Sequence, residues 1–312
     1  MKVLYGLGQA RKNFKNCVLA IGVFDGLHVG HQELIRTMIR RARTSGSQAI
    51  VLTFSSHPVH VLHPEIPLSL IVSFDYRLKL IEDLGVDGCF VVRFTKKFAH
   101  LSPDKFIRNY LIDGLKAQAV FVGDDFRFGQ NRTGTIEIFK ELGRRWELEV
   151  HGVHPVLGNR HKVSSTDIRS LIVQGKLDEA KKYLGRNVSI MGTVRQGDLR
   201  GRALGFPTAN IYPTHEVIPP LGVYAVKVVI GKKKYHGMTN IGRRPSFPSR
   251  NELINIETHI FNFKKNIYGQ KIIVEFINRI RDEKAFLSKE KLVAQLEKDE
   301  QKVRSFFKQR SS

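Results

Sequence analysis

The strongest constraint on this chain is a change of rhythm at Leu184-Gly185-Arg186. Before that point, short apolar runs alternate with helical patterns. After it, the segments are short, β-branched and separated by Gly or Pro. Val18–Phe24, Ala49–Phe54, Gly88–Phe94, Ala119–Gly123 and Glu147–Val153 read as strands of the first half. His31–Thr44 carries Leu34, Ile35, Met38 and Ile39 at helical spacing, and Tyr76–Leu84, Asp104–Leu111 and Glu137–Arg145 also read as helices. Strand alternating with helix predicts a Rossmann-like α/β domain, a parallel sheet wrapped by helices. Thr166–Gln174 and Leu177–Leu184 read as two short helices ending it. In the second half, Val188–Val194, Val223–Ile230, Ile254–Phe261 and Ile272–Phe276 read as strands, with a hairpin turn at Gly231-Lys232-Lys233-Lys234. A helical pattern over Lys289–Phe307 follows. These features predict a small antiparallel β-barrel or sheet with a terminal helix. The 312 residues suit two domains, 1–186 and 187–312.

Charge narrows the partners. The formal net charge is +22. Residues 1–186 hold 28 of the 51 Lys and Arg and 18 of the 29 Asp and Glu, so the excess is spread over both halves rather than gathered in a tail. Such a field favours anionic partners, nucleotides or nucleic acid among them. No Lys/Arg-rich run with interleaved aromatics supports a nucleic-acid interface, so a solvated Lys-rich surface is the expectation. Cys17 and Cys89 form no metal or redox spacing and sit in apolar strands, as buried structural thiols do. The N-terminal residues lack the apolar stretch of a signal peptide, and Cys17–Phe24 is too short to span a bilayer. A cytoplasmic protein is expected.

Five segments carry chemistry. Ile21–His31 reads IGVFDGLHVGH, an apolar strand, a Gly-rich turn and a helix start. Glycine lets backbone approach a phosphate, and a helix N-terminus offers N–H groups and positive potential. His28 and His31, three apart, share one side of that terminus and can donate hydrogen bonds to the oxygens of a phosphorus centre as negative charge moves to its leaving group. In VSSTDIR, Ser164, Ser165 and Thr166 offer hydroxyls at another helix start, with Arg169 one turn on; the same pattern also serves as a plain cap. VGDDFRFGQNRTG leaves a strand end, where open α/β sheets bind ligands. Its Phe126 and Phe128 also suit simple core packing. In GRALGFPTANI, a Gly-Phe-Pro turn presents Thr208 and Asn210, hard oxygen ligands suited to Mg²⁺ held with phosphate oxygens. Finally, Glu257 in IETHI is a carboxylate in an otherwise β-branched, aromatic strand.

Taken together and in order, these segments resemble the prokaryotic bifunctional riboflavin kinase/FAD synthetase family. GVFDGLHVGH is similar to the family's HxGH-type nucleotidyltransferase signature, and Thr53-Phe54 with His57-Pro58 to its TFxPHP segment. VGDDFRFG, VSSTDIR, the Leu184-Gly185-Arg186 junction, GRALGFPTAN, NIGRRPSF, IETHI and IYG (Ile267–Gly269) follow. The resemblance spans roughly residues 18–299. It implies that ATP is a co-substrate of both steps, with riboflavin, FMN and FAD as flavin ligands.

The resemblance assigns the ATP phosphates of the first module to Gly22, Phe24, Asp25, Gly26, His28 and His31 on one side and Ser164, Ser165, Thr166 and Arg169 on the other. It assigns FMN to Asp125, Phe126, Arg127 and Phe128, with Asp125 and Arg127 near the phosphoryl end. In the second module it implies ATP binding at Gly201, Gly205, Pro207, Thr208 and Asn210, with Mg²⁺ on Thr208 and Asn210. Glu257 is then the general base, and Arg281 and Phe286 belong to a flap over the flavin. Ser56 stands where the family has Pro, and Ser246 where it has Thr; both bear on substrate affinity and leave the reaction type intact. The rival expectations are a chain retaining one activity and a basic nucleic-acid-binding protein on the same fold.

Overall fold

The structure is a computed structural model. It describes residues 1–154, 157–158, 161–197, 201, 204–213, 215–243 and 254–310. Two compact units emerge: residues 1–68 with 74–165, and residues 69–73 with 166–312.

The first unit is built on a parallel sheet of β1 (Lys2–Tyr5), β2 (Cys17–Ile21), β3 (Gln48–Phe54), β4 (Gly88–Val92), β5 (Ala117–Gly123) and β6 (Glu149–Val153). The spatial order is β1-β4-β3-β2-β5-β6. Every residue of β2 and β4 is buried, as expected of strands covered on both faces. Two apolar layers result. On one face, Leu19, Ile50 and Phe90 pack with Phe14, Phe106 and Phe139. On the other, Val18, Val51 and Val91 pack with Leu34, Ile35 and Met38 of helix α2 (Val29–Thr44). The strand order reverses between β2 and β5, so the carboxyl end of β2 opens onto the crevice where such sheets bind ligands.

Several elements of the first unit depart from expectation. Helix α1 (Leu7–Asn13) and edge strand β1 precede the first predicted strand. The helix predicted over Asp104–Leu111 is a single α-turn, Pro103–Phe106, continued by a wider π-helical turn over Ile107–Ile112. That widening keeps Phe106, Ile107 and Leu111 buried together.

The second unit opens with α6 and α7, following α3 (Pro58–Leu62), α4 (Phe74–Glu82) and α5 (Ile136–Arg145) of the first. Here α6 is Ser165–Val173, whose first residue belongs to the first unit, and α7 is Leu177–Leu184, ending on left-handed Gly185. Its sheet contains β7 (Ser189–Thr193), β8 (Thr208–Ile211), β9 (Gly222–Ile230), β10 (Lys233–Arg243), β11 (Ile254–Ile260) and β12 (Lys271–Arg281). The order is β8-β11-β10-β9-β12-β7, antiparallel throughout. A bridge between Arg195 and Asn210 ties the two edges and curls the sheet toward a barrel. The predicted hairpin forms around Gly231-Lys232, with Ile230 opposite Lys233. Helix α8 (Lys289–Gln309) packs Val303 and Phe307 on Ala225, Met238 and Phe261.

Candidate functional sites

At the end of β2 the chain cannot continue as strand, because Phe24 and Gly26 both take positive φ, 55° and 74°. Gly26 does so without cost, whereas a left-handed Phe is strained and persists only where its surroundings hold it. Here Phe24 is buried and sets its ring edge-on to His31 at 5.3 Å. The turn delivers the chain into α2 with His28 as its N-cap, and Nδ1 of His28 accepts from the backbone N–H of His31 at 3.4 Å. An accepting Nδ1 places the ring proton of neutral His28 on Nε2. The two imidazoles stack 3.6 Å apart, 20° from parallel. Two ring systems and the first turn of a 16-residue helix therefore share one end of the sheet.

The loop is braced from below by a residue that sequence reasoning missed. Arg77 on α4 is 4 % exposed and donates to the carbonyls of Val23 at 2.6 Å, in the turn after β2, and of Phe54 at 2.5 Å, at the end of β3. Burial pulls its guanidinium below the ordinary arginine value, against the opposing effect of Asp25. Thr53 Oγ1 donates to Val23 as well, and His57 caps α3 by accepting from Val59 N–H. Ser165 Oγ donates to the Asp25 carbonyl at 3.1 Å, which brings VSSTDIR to the GVFDG turn within the first unit. Thr166 and Arg169 continue along α6 in the second unit, where Arg169 Nε donates to the Ser69 carbonyl.

The aromatic loop after β5 divides by burial. Phe128 lies in the core against Phe139 at 4.7 Å, and Phe126 is half-buried and stacked on Phe128. Asp125 and Arg127 face solvent. Phe128 thus has a packing role, and the loop's polar groups and Phe126 are its accessible part.

In the second unit the site is set by strand register. Asn210 on β8 lies opposite Glu257 on β11, which lies opposite Asn240 on β10. Alternation sends Ile256, Thr258 and Ile260 inward and leaves Asn255, Glu257 and His259 on one face. Asn255, which sequence reasoning also missed, donates through Nδ2 to Asn210 Oδ1 at 3.1 Å and to Glu257 Oε1 at 2.8 Å. Thr208 opposes His259, whose Nδ1 meets the Pro207 carbonyl at 2.8 Å. The turn before β8 is closed by Leu204 and Phe206 N–H groups on the Gly201 carbonyl, with Gly205 at φ 84°. The Gly-Phe-Pro turn leads into β8, on which Thr208 and Asn210 stand two residues apart and on the same face. Their neutral hard oxygens, with Glu257 in the facing register, suit Mg²⁺, which keeps waters and substrate phosphates as its other ligands. Ser246 and the RPSF end of NIGRRPSF lie outside the described residues.

Arg281 is already engaged. Its Nε and Nη2 both lie 2.8 Å from Oδ2 of Asp299 on α8, a carboxylate with no exposure. Gln295 donates to the other oxygen at 2.8 Å. Phe286 lies 5.8 Å from the Arg281 guanidinium. Of the predicted flap pair, Arg281 is thus anchored to the terminal helix.

An α/β unit and a β unit, matched by two transferase family models, define a two-module nucleotide-using transferase. The FAD synthetase family model matches residues 10–167, and the riboflavin kinase model matches residues 184–307. The chain belongs to the bifunctional riboflavin kinase/FMN adenylyltransferase family. It is 36 % identical to the protein of that name from Buchnera aphidicola subsp. Schizaphis graminum, over 98 % of this chain and 99 % of that one. It is 39 % identical to that of Listeria monocytogenes, over 94 % and 93 %. A solved structure titled macrolide-efflux protein, from Streptococcus pneumoniae, superposes with a TM-score of 0.82 at 33 % identity, covering 97 % of this chain and 99 % of that one. Among the described residues, no helix is long and apolar enough to cross a membrane.

Proposed function

We propose that the chain phosphorylates riboflavin to FMN and then transfers AMP from a second ATP to FMN, releasing pyrophosphate and FAD. The observation that carries this reading is that each family-matched module brings its expected site residues into one cluster. Residues 1–186 form the adenylyltransferase and 187–312 the kinase, a division supported by family matches that end at 167 and begin at 184. ATP is the nucleotide of both steps, Mg²⁺ the metal, and the compartment the cytoplasm.

In the kinase, Glu257 takes the proton of the ribityl 5′-hydroxyl as that oxygen bonds to the γ-phosphorus and the bond to ADP breaks. Thr208 and Asn210 would hold Mg²⁺, which when bound neutralises the phosphate charge. In the adenylyltransferase, a phosphate oxygen of FMN attacks the α-phosphorus of ATP. His28 and His31 donate hydrogen bonds to the oxygens that gain charge as pyrophosphate departs. Asp125, Phe126 and Arg127 receive FMN, and Ser164, Ser165, Thr166 and Arg169 the nucleotide phosphates. Purified protein incubated with riboflavin and Mg-ATP, with the flavins resolved by chromatography, should yield FMN first and FAD later. A chain making neither product sinks the reading, and one stopping at FMN reduces it to the kinase alone.

A further inference from the structure

We infer that Asn255 is a positioning residue of the phosphoryl-transfer site, holding base and metal ligand in one arrangement and keeping one acceptor for a hydroxyl or water that arrives with the reactants. The inference rests on the assignment of Glu257 and Asn210 above.

The orientation of the Asn255 amide follows from its neighbours. Glu257 Oε1, as a carboxylate oxygen, can only accept, so the atom 2.8 Å from it is the NH₂ group. The same nitrogen lies 3.1 Å from Asn210 Oδ1. Both hydrogens of Nδ2 are therefore used, one on each partner. Two side chains from different strands are fixed by one planar group, and Asn210 keeps a second lone pair on Oδ1. Oε1 of the carboxylate takes a charge-assisted bond, stronger than a neutral one.

The other end of the amide is unmet. Asn255 is 6 % exposed, and its Oδ1 is buried with no hydrogen-bond partner. Such acceptors are rare because desolvation without a replacement bond is costly. An apolar side chain of the same shape would remove that cost and also remove the clamp on Glu257 and Asn210. The arrangement is that of a site tuned to an O–H donor absent from the resting protein. Two donors of that chemistry come with the reaction: a ribityl hydroxyl and a metal-bound water.

The test uses the full chain carrying Asn255→Leu, near-isosteric and without polar atoms, and Asn255→Ser, which keeps one hydroxyl. Removing one hydrogen bond to a charged group should lower kcat for riboflavin phosphorylation by about tenfold to a hundredfold. Asn255→Ser should recover part of that loss. FMN adenylylation, measured in the same preparations, should be unchanged. Thermal stability without ligands should stay close to the parent's, since losing the unmet acceptor offsets losing the two donated bonds. Riboflavin affinity by fluorescence quenching and Mg-ADP affinity by calorimetry separate the donor's source. Weaker riboflavin binding identifies a ribityl hydroxyl, and weaker Mg-ADP binding a metal-bound water. Parental kcat with both affinities unchanged overturns the inference, as does a kcat loss that only accompanies lower stability and lower adenylylation. If the Leu variant does not fold, the Ser variant alone must show the kcat loss at parental stability. Glu257→Ala is run in parallel. If it phosphorylates riboflavin at the parental rate, the base assignment itself is wrong. If it is inactive while Asn255→Leu is parental, only the present inference falls.

Discussion

The first unit gathers the residues proposed to face phosphate at a helix end, and the second gathers its own on one face of paired strands. In the first, His28 both caps α2 and stacks on His31, so backbone and side chains come from one contiguous stretch. In the second, Asn210, Asn255 and Glu257 come from two strands and meet only because β8 and β11 pair in one register. A helix-end site is local and depends on a turn. A strand-face site depends on the whole sheet, since a one-residue slip would send Glu257 inward.

The comparison can be broken most sharply at Glu257. Glu257→Ala should lower FMN formation by about 10²–10⁴, the range for a positioned general base, while added FMN is still converted to FAD. Parental FMN formation would place the base elsewhere. Next in size, Asp299→Ala leaves the Arg281 cation without its buried counter-charge. Breaking such a pair costs about 3–5 kcal/mol, to be read in urea unfolding of the full chain. A variant as stable as the parent would show that the pair contributes little to the second unit. His31→Ala should reduce FAD formation by about 10²–10³ and spare phosphorylation. At His28 the cap and the donor can be separated. His28→Asn keeps a capping side chain, so it should lose rate without the roughly 1 kcal/mol of stability that His28→Ala also loses. The smallest effect expected is on the thiols. Burial pushes both Cys17 and Cys89 up to about 12, so neither should react with iodoacetamide at neutral pH until the protein is unfolded. Rapid labelling of native protein would contradict the packed sheet.

Much of this was legible in the sequence where structure is local. Leu177–Leu184 reads as a helix because its apolar positions repeat and Gly185 stops it, and the structure keeps those bounds. The IGVFDGLHVGH turn is equally readable, because glycine, cap and histidines are neighbours. Legibility fails where partners are distant. Asn255 reads as an ordinary polar residue on a strand until register sets it beside Asn210. Asp299 reads as one charge among many on an amphipathic helix until Arg281 is found against it. Arg77 looks like a solvated helical cation, yet it lies beneath the turn after β2 and the end of β3. Phe128 shows the reverse: its motif suggests ligand contact, and its burial shows packing.

The five residues 69–73 carry a consequence for how such a chain could be divided into two genes. They precede most of the first unit in sequence, yet they pack with the second. Leu70 donates to the His215 carbonyl and accepts from Val217 N–H, both at 2.7 Å, and Arg169 reaches the Ser69 carbonyl. A single cut at Arg186 therefore does not yield two self-contained polypeptides. One fragment leaves with a strap that belongs to the other, and the fragment from 187 onward is left with unpaired backbone beside Glu216. Expressed from separate messages, the halves should recognise one another through that strap and copurify. The same strap with Pro at position 70, which has no N–H to give, should not bind.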